Sequence, residues 1–257
     1  MRVGVATACL LPVLVLRGGL PDLRGRLGHL VVVGIINSAL PFCLLAYATL
    51  SVTAGLASIL NATSPLWGAV VAHLWLKDRL DRGRVLGLLV GFGGVSFLVW
   101  GRASFKPGGA GLAVVAAMVA TLSYGVAASY TKRYLRGANP LAVAAGSQAG
   151  ATLVLLLPAA LLWPGQPVSA RAWGAALLLA VLCTAVAYVL YFRLIASVGP
   201  ARAIAVTFLI PPFALGWGGL FLGESITPRT LAGSAVVLVG TALATGILRL
   251  PARPRAA

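Results

Sequence analysis

The chain has 257 residues, of which 60% are hydrophobic and only 9% are charged, and its formal net charge is +16 at pH 7. A water-soluble domain carries about a quarter charged residues because its surface must face water, so this composition excludes an ordinary soluble domain. The positive charges lie in short loops between apolar runs. That distribution indicates that the positive charges orient the chain in a membrane rather than form a nucleic-acid-binding surface. The three cysteines lack metal-site spacing, and we expect no metal or other cofactor.

In chain order, nine apolar runs predict membrane-spanning helices. A spanning helix needs about 20 apolar residues. Lipid offers the backbone no hydrogen-bond partners, so such runs must be helical. The runs cover residues 3–16, 30–50, 53–76, 85–101, 109–131, 141–163, 173–193, 203–223 and 230–248. The sequence therefore predicts an all-α membrane protein with many spans.

The distribution of Lys and Arg predicts the orientation of these spans. Fifteen of the 20 basic residues fall on one side of the predicted bundle and five on the other, with Arg2 counted in the smaller group. The basic side faces the cytoplasm by the positive-inside rule. The C-terminus, with a basic tail at 249–257, is then cytoplasmic. The excess of arginine over lysine favours a bacterial gene, and we expect the plasma membrane as the location.

Two stretches that lie 146 residues apart resemble each other. "PLWGAVVAHLWLKDRL" begins at Pro65 and "PPFALGWGGLFLGESI" begins at Pro211, and each proline precedes an acid, Asp78 or Glu224, by thirteen residues. Glycine and proline fix backbone features, so further matches at these residue types are informative. The same offset pairs Gly4 with Gly150, Pro12 with Pro158, Gly28 with Gly174, Gly87 with Gly233 and Gly94 with Gly240. The chain is predicted to be an internal duplication.

The predicted repeats cover residues 1–101 and 109–248. The second has five helices, and the partner of its first helix would precede Met1. The sequence thus predicts two five-helix repeats, with nine of ten transmembrane helices present. An odd number of helices per repeat inverts the second copy in the membrane. The alternative, that nine helices are the natural state, stays open.

This doubled pattern resembles the EamA-type branch of the drug/metabolite transporter superfamily. The segment "LAYATLSVTAGLASIL" (Leu45–Leu60) also resembles the short external turn of that family. The matching residues are Pro65, Asp78, Gly87 and Gly94 in the first half and Pro211, Gly223, Glu224, Gly233 and Gly240 in the second. The resemblance implies a substrate cavity between the halves. Two departures are "KDR" in place of the family's "GER", and the missing first helix, which helps to wall the cavity in that family.

Uncharged polar side chains in apolar segments are candidates for the lining of such a cavity, because they prefer the interior of a helix bundle. We select Asn61, Ser64, Tyr124, Gln148 and Tyr188. This lining suits a small, neutral or zwitterionic, partly apolar solute. The alternative for each residue is interhelical hydrogen bonding or anchoring at the membrane interface.

The matched prolines and acids are candidates for gating or helix-end roles. Pro65 and Pro211 fall in apolar runs, where proline removes a hydrogen bond and kinks a helix. Matched kinks could serve as gates in alternating access, or could only assist packing. Asp78 and Glu224 could gate, but capping of the following helix is the favoured interpretation because an acid there meets the positive end of the helix dipole.

The leading hypothesis is a secondary transporter that moves small organic solutes, amino-acid-like metabolites or drugs, outward by alternating access, without catalytic residues. No Walker A pattern occurs, so ATP does not drive it directly. The rival class is a membrane enzyme that binds Mg-diphosphate through Asp78 and Asp81, although solvated loop charges explain that pair better. A further alternative is an inactive, N-terminally truncated carrier. The expected partners are the solute and the lipid bilayer. The Gly-x-x-x-Gly spacings at 87–91 and 219–223 allow close helix approach, either within the bundle or in a homodimer.

Overall fold

The computed structural model describes residues 1–100, 110–163, 165, 167–198, 210–223 and 225–248. Within these ranges every regular element is a helix. The α-helices are α1 (Arg2–Leu16), α2 (Pro21–Arg24), α3 (Leu27–Gly34), α4 (Leu40–Ala48), α5 (Ala54–Asn61), α6 (Ser64–Leu76), α7 (Arg82–Val99), α8 (Gly111–Tyr134), α9 (Pro140–Leu161), α10 (Ala170–Ala180), α11 (Ala187–Val198), α12 (Ile210–Leu222) and α13 (Pro228–Ala244). The all-α prediction is confirmed. The predicted tail at 249–257 lies outside the described residues.

Several of these helices join into runs that are long and apolar enough to cross a membrane. Among the described residues five such runs occur, and two shorter apolar helices accompany them, Arg2–Leu16 and Pro228–Ala244. The five are Leu27–Ala48, Ala54–Leu76, Gly111–Tyr134, Pro140–Leu161 and Ala170–Ile195. Large apolar side chains cover much of the surface; Leu161, for example, is 74% exposed. Such a surface fits lipid rather than water. The count of nine spans stays a prediction.

Two of the long runs contain a π-helical segment at their middle. Ile35–Ala39 connects α3 to α4, and Val181–Val186 connects α10 to α11. The offset of 146 that the sequence suggests takes Ile35 to Val181, so the two segments begin at equivalent positions. π-Helical turns are rare and occur frequently at functional sites. Their matched placement supports the predicted duplication and marks both positions as candidates for function.

The ends of α6 and α12 are also equivalent. Lys77 follows α6 with a φ of 56°, and Gly223 follows α12 with a φ of 64°. Both residues therefore adopt the left-handed conformation, which commonly ends a helix and which glycine adopts at no steric cost. For Lys77 this conformation costs about 1–2 kcal/mol because its Cβ crowds the backbone. The departure from the family's "GER" thus places a strained residue at the end of α6.

Substitutions at Lys77 and at Gly223 are expected to change the stability of the protein in opposite directions. Lys77→Gly is expected to raise the free energy of unfolding by about 1 kcal/mol, because glycine removes the strain. Gly223→Lys is expected to lower it by a similar amount, since no atom lies within 4 Å of the added Cβ and only the backbone conformation opposes it. Thermal unfolding of the purified variants in detergent measures both. A destabilised Lys77→Gly protein would show that the lysine side chain makes a compensating interaction.

The chain forms two compact units. The first comprises Met1–Phe42 and Tyr130–Ala203, and the second comprises Cys43–Ser129 and Ile204–Ala257. Each unit takes helices from both predicted repeats. The repeat boundaries at 101 and 109 are therefore not the boundaries of packing, and they stay a prediction from the sequence.

In the second unit, α7 packs against α13 through glycines. A Cβ at Gly87 would overlap the backbone nitrogen of Ala244 and lie 2.7 Å from the carbonyl oxygen of Gly240. Likewise, a Cβ at Gly233 would overlap the side chain of Leu98. Adding 146 to Gly87 and to Leu98 gives Gly233 and Ala244, so the two contacts are equivalent. Two antiparallel copies of one helix make this pattern, which supports an inverted repeat.

In the first unit, α1 and α3 pack closely on α9. A Cβ at Gly150 would lie 2.7 Å from the Cα of Val31, and a Cβ at Gly34 would lie 2.7 Å from the backbone nitrogen of Ala151. Small residues allow this approach of the backbones, as is usual between membrane helices. Because Gly34 immediately precedes the π segment Ile35–Ala39, the packing brings that segment against the middle of α9.

Candidate functional site

A cluster of buried polar side chains lies where the π segment Ile35–Ala39 meets α9 and α11. Gln148 on α9 is fully buried and donates from Nε2 to Ser38 Oγ, at 2.9 Å. Ser38 Oγ lies 3.0 Å from the hydroxyl oxygen of Tyr188. The Tyr188 hydroxyl in turn donates to the carbonyl oxygen of Asn37, at 2.9 Å. Since the tyrosine proton is used there, Ser38 donates to Tyr188 and accepts from Gln148.

One acceptor in this cluster remains open. Gln148 Oε1 is buried and has no hydrogen-bond partner among the described residues. An unsatisfied buried acceptor costs about 1–3 kcal/mol, and most buried polar atoms are paired for that reason. Since no described residue donates to this oxygen, water or a solute can complete the cluster.

Arg2 lies against the second π segment, Val181–Val186. Its Nε donates to Thr184 Oγ1 at 2.7 Å, and its guanidinium carbon lies 3.9 Å from the centroid of the Phe42 ring. Thr184 is fully buried and occupies the middle of the span Ala170–Ile195. The side chain of Arg2 thus reaches into the centre of a span.

This position corrects the sequence-based assignment of Arg2 to the external loop charges. A count of basic residues uses their position along the chain, so it does not detect a cation whose side chain enters the bundle. Without Arg2, the bias is fifteen basic residues against four. Arg84 and Asp81 form an ion pair among the described residues, and Arg2 forms no ion pair with a described carboxylate.

The 146-residue offset relates the two halves of this site. The equivalent residues are Arg2 with Gln148, Ser38 with Thr184, and Phe42 with Tyr188. The hydrogen bond from Gln148 to Ser38 and the hydrogen bond from Arg2 to Thr184 are therefore the same contact made by each copy. The site has a pseudo-two-fold arrangement, with a neutral amide on one side and a cation on the other.

Of the five predicted cavity residues, the structure brings Gln148 and Tyr188 together. Sequence reasoning missed Arg2, Ser38 and Thr184. The sequence does contain a signal for Arg2, because the 146-residue offset pairs it with Gln148. The predicted repeat was supported only by matched glycines, prolines and acids, so this pair was not considered.

Asn61 and Ser64 lie in the second unit, at a break between α5 and α6. The Ser64 hydroxyl donates to the carbonyl oxygen of Asn61 at 2.6 Å, while Asn61 Oδ1 is buried without a hydrogen-bond partner. Tyr124 is half-buried on α8 of the same unit. The role of these three residues in lining a cavity stays a prediction.

Of the predicted gating or helix-end residues, Pro65 and Asp78 lie near helix boundaries among the described residues. Pro65 is the second residue of α6, where a missing N–H is tolerated, and the interruption predicted there is a break at Ala62 and Thr63. Pro211 lies in α12 next to Ile210, the first described residue of that helix, so the kink predicted at Pro211 stays a prediction. Glu224 lies outside the described residues.

Asp78 does not cap the following helix; Asp81 does. Asp81 Oδ1 accepts a hydrogen bond from the backbone nitrogen of Arg84 at 2.9 Å, at the start of α7. Thr227, which the offset matches to Asp81, caps α13 in the same way. Asp78 instead contacts His73, whose Nδ1 lies 2.8 Å from the Asp78 carbonyl oxygen. Helix capping accounts for the acid at position 81, so there is little reason left to assign Asp78 and Asp81 to a Mg-diphosphate site.

Comparison with known proteins places the chain in a family. The chain matches the EamA-like transporter family over residues 1–100 and 111–246. It is 27% identical to the uncharacterized transporter YyaM of Bacillus subtilis, over 97% of this chain and 84% of that protein. It is 32% identical to the uncharacterized protein PA1977 of Pseudomonas aeruginosa, over 77% of this chain and 67% of that protein. It is 29% identical to the probable terminal-alkyne amino-acid exporter of Streptantibioticus cattleyicolor, over 78% of this chain and 67% of that protein.

A solved structure agrees with the fold. A protein crystal structure superposes with a TM-score of 0.70 and 17% sequence identity, covering 96% of this chain and 85% of that chain. At this identity the likeness shows the fold alone. The family match, the relatives and the apolar helices together identify a multi-pass membrane protein that transports small solutes. The chain belongs to the EamA-like transporter family.

Proposed function

We propose that the chain is a secondary carrier that exports small organic solutes, amino-acid-like metabolites or drugs, by alternating access and without catalytic chemistry. The observation that carries the proposal is the buried cluster around Ser38, Gln148 and Tyr188, with its open acceptor at Gln148 Oε1. Polar groups inside a membrane are costly, so those that persist are usually functional. A cluster that an external donor completes fits a solute site.

The equivalence of the two halves supports alternating access. The contacts from Gln148 to Ser38 and from Arg2 to Thr184 each join a helix to a π segment. In carriers built from inverted repeats, the two copies exchange conformations, which opens a central site first to one side and then to the other. Each π segment interrupts the regular hydrogen-bonding ladder at mid-span, and such an interruption is where a helix bends most readily.

The direction of transport and the location are part of the proposal. One relative is named a probable terminal-alkyne amino-acid exporter, which supports export and an amino-acid-like solute. The corrected bias of basic residues supports a cytoplasmic C-terminus, and we propose a bacterial plasma membrane. Gly87 and Gly91 contact α13 and Leu66 within the chain, so this spacing packs the bundle, and a homodimer would use other surfaces.

Exchange of labelled solutes tests the carrier directly. The full chain would be purified, reconstituted into liposomes loaded with unlabelled solute, and exposed to labelled amino acids, nucleobases and cationic drugs, with and without a proton gradient. We expect saturable exchange of one class above the level of protein-free liposomes. If the reconstituted protein is monodisperse and folded yet exchanges no member of the panel, the carrier proposal is wrong.

A further inference from the structure

We propose that Arg2 binds a carboxylate of the transported solute, so that the solutes are amino-acid-like zwitterions and not neutral or cationic drugs. The inference rests on the proposed carrier function and names the solute class for the same site.

The first observation is the charge of Arg2. Its guanidinium is partly buried between Thr184 and the ring of Phe42, and neither partner carries negative charge. A hydroxyl acceptor and an aromatic face stabilise a cation in part. Inside a membrane, the positive charge of Arg2 is fully balanced only by an anion, and no described carboxylate lies in an ion pair with it. The carboxylate of a bound solute would supply that negative charge.

The second observation is the geometry that remains available on the guanidinium. Arginine has five N–H donors in a planar fork that matches a carboxylate in a two-point contact. In Arg2 the Nε proton is directed to Thr184 Oγ1, and Nη2 lies 3.4 Å from the carbonyl oxygen of Cys183, at the limit of a hydrogen bond. The other protons have no acceptor among the described residues, so they can receive both oxygens of a carboxylate.

The third observation is independent of Arg2. Gln148 Oε1 is an acceptor, fully buried and unpartnered, so it requires a donor such as an ammonium group. Gln148 and Tyr188 both bond to Ser38, and Thr184 lies one helical turn before Tyr188 on the same side of the helix. A cation and an open acceptor therefore belong to one polar cluster, which suits the carboxylate and the ammonium of one small zwitterion.

The side chain of such a solute would be apolar. The rings of Phe42 and Tyr188 occupy equivalent positions of the two repeats beside the polar groups. Aromatic faces contribute apolar contact area. Leucine and phenylalanine are therefore the test solutes, and their carboxamides are matched solutes that keep the ammonium and the side chain but lack the carboxylate.

The experiment is exchange of these four labelled solutes by the reconstituted full chain. We expect the wild-type chain to exchange each amino acid faster than its carboxamide by about tenfold or more, because a charge-assisted contact is lost with the carboxylate. Arg2→Gln should abolish this preference, and Arg2→Lys should keep part of it. Arg24→Gln removes the same charge from an exposed position on α2 and should leave the preference unchanged.

The outcomes separate this inference from the carrier proposal. If the wild-type chain exchanges solutes but accepts the carboxamides as well as the acids, the role of Arg2 is wrong while the carrier proposal stands. If Arg2→Gln keeps the wild-type preference, the role of Arg2 is likewise wrong. If the wild-type chain exchanges nothing in the wider panel, both are wrong. The wild-type comparison decides the inference even where Arg2→Gln fails to fold.

Discussion

Replacing Gly240 with valine is expected to lower the free energy of unfolding by about 3 kcal/mol, because an overpacked side chain here meets backbone rather than a movable side chain. A Cβ at this position would overlap the backbone nitrogen of Gly91 and lie 2.5 Å from its Cα. The backbone of α7 cannot rotate aside as a side chain can, so α7 and α13 would have to separate. Thermal unfolding of the purified protein in detergent measures the loss.

Gly93→Val is the matched control. Gly93 also lies on α7, but no atom lies within 4 Å of its added Cβ. We expect a change within about 0.5 kcal/mol, since valine is a slightly better helix former than glycine. Equal destabilisation by the two substitutions would contradict the close contact of α7 with α13 and with it the main structural support for the inverted repeat.

Replacing Gln148 with leucine is expected to abolish solute exchange while leaving the thermal stability unchanged or slightly higher. The substitution removes the open acceptor at Oε1 and one hydrogen bond, and Ser38 keeps its bond to Tyr188. Replacing an imperfectly paired buried polar group by an apolar group of similar shape is nearly neutral, because the desolvation penalty disappears with the group. Exchange in liposomes and unfolding in detergent measure the two effects on one preparation.

Ser147→Ala controls for a general effect of substitution on α9. Ser147 is fully buried beside Gln148, but its hydroxyl donates to the carbonyl oxygen of Ala144 within its own helix, at 3.2 Å. We expect normal exchange from this variant. A Gln148→Leu protein that transports normally, or one that loses stability together with transport, would indicate that Gln148 has a structural role.

The helices could be predicted from the sequence because their cause is local. Apolar runs in lipid must be helical, and where the predicted runs fall on described residues they overlap the observed helices closely; the run at 141–163 lies within one residue of α9 at its start and two at its end. Residues 203–209 of the run 203–223 lie outside the described residues. Interruptions within a run were harder to predict. The break at Ala62 and Thr63 lies inside the predicted run 53–76, because apolar residues flank it on both sides and hydropathy does not change there.

The site was predicted in part, and the missing part has a physical reason. Gln148 and Tyr188 stand out as polar residues in apolar runs, so composition alone identifies them. Ser38 and Thr184 are small residues whose importance comes from the π segments, and those segments have no signature in the sequence. Arg2 was missed because its role depends on how α1 packs, which is a tertiary property. The offset of 146 carried this information in the pairing of Arg2 with Gln148.

The central claim is that the cluster around Ser38 lies on a solute pathway that opens alternately to the two sides of the membrane. The most direct test is the accessibility of a thiol placed at residue 38. Ser38→Cys would be introduced after the three native cysteines are replaced by alanine, and the protein would be exposed to a membrane-impermeant thiol reagent from each side of the membrane in turn. We predict modification from either side and protection from both by an exchanged solute. A thiol that reacts from neither side, or that solutes never protect, would contradict the account and show a sealed structural cluster.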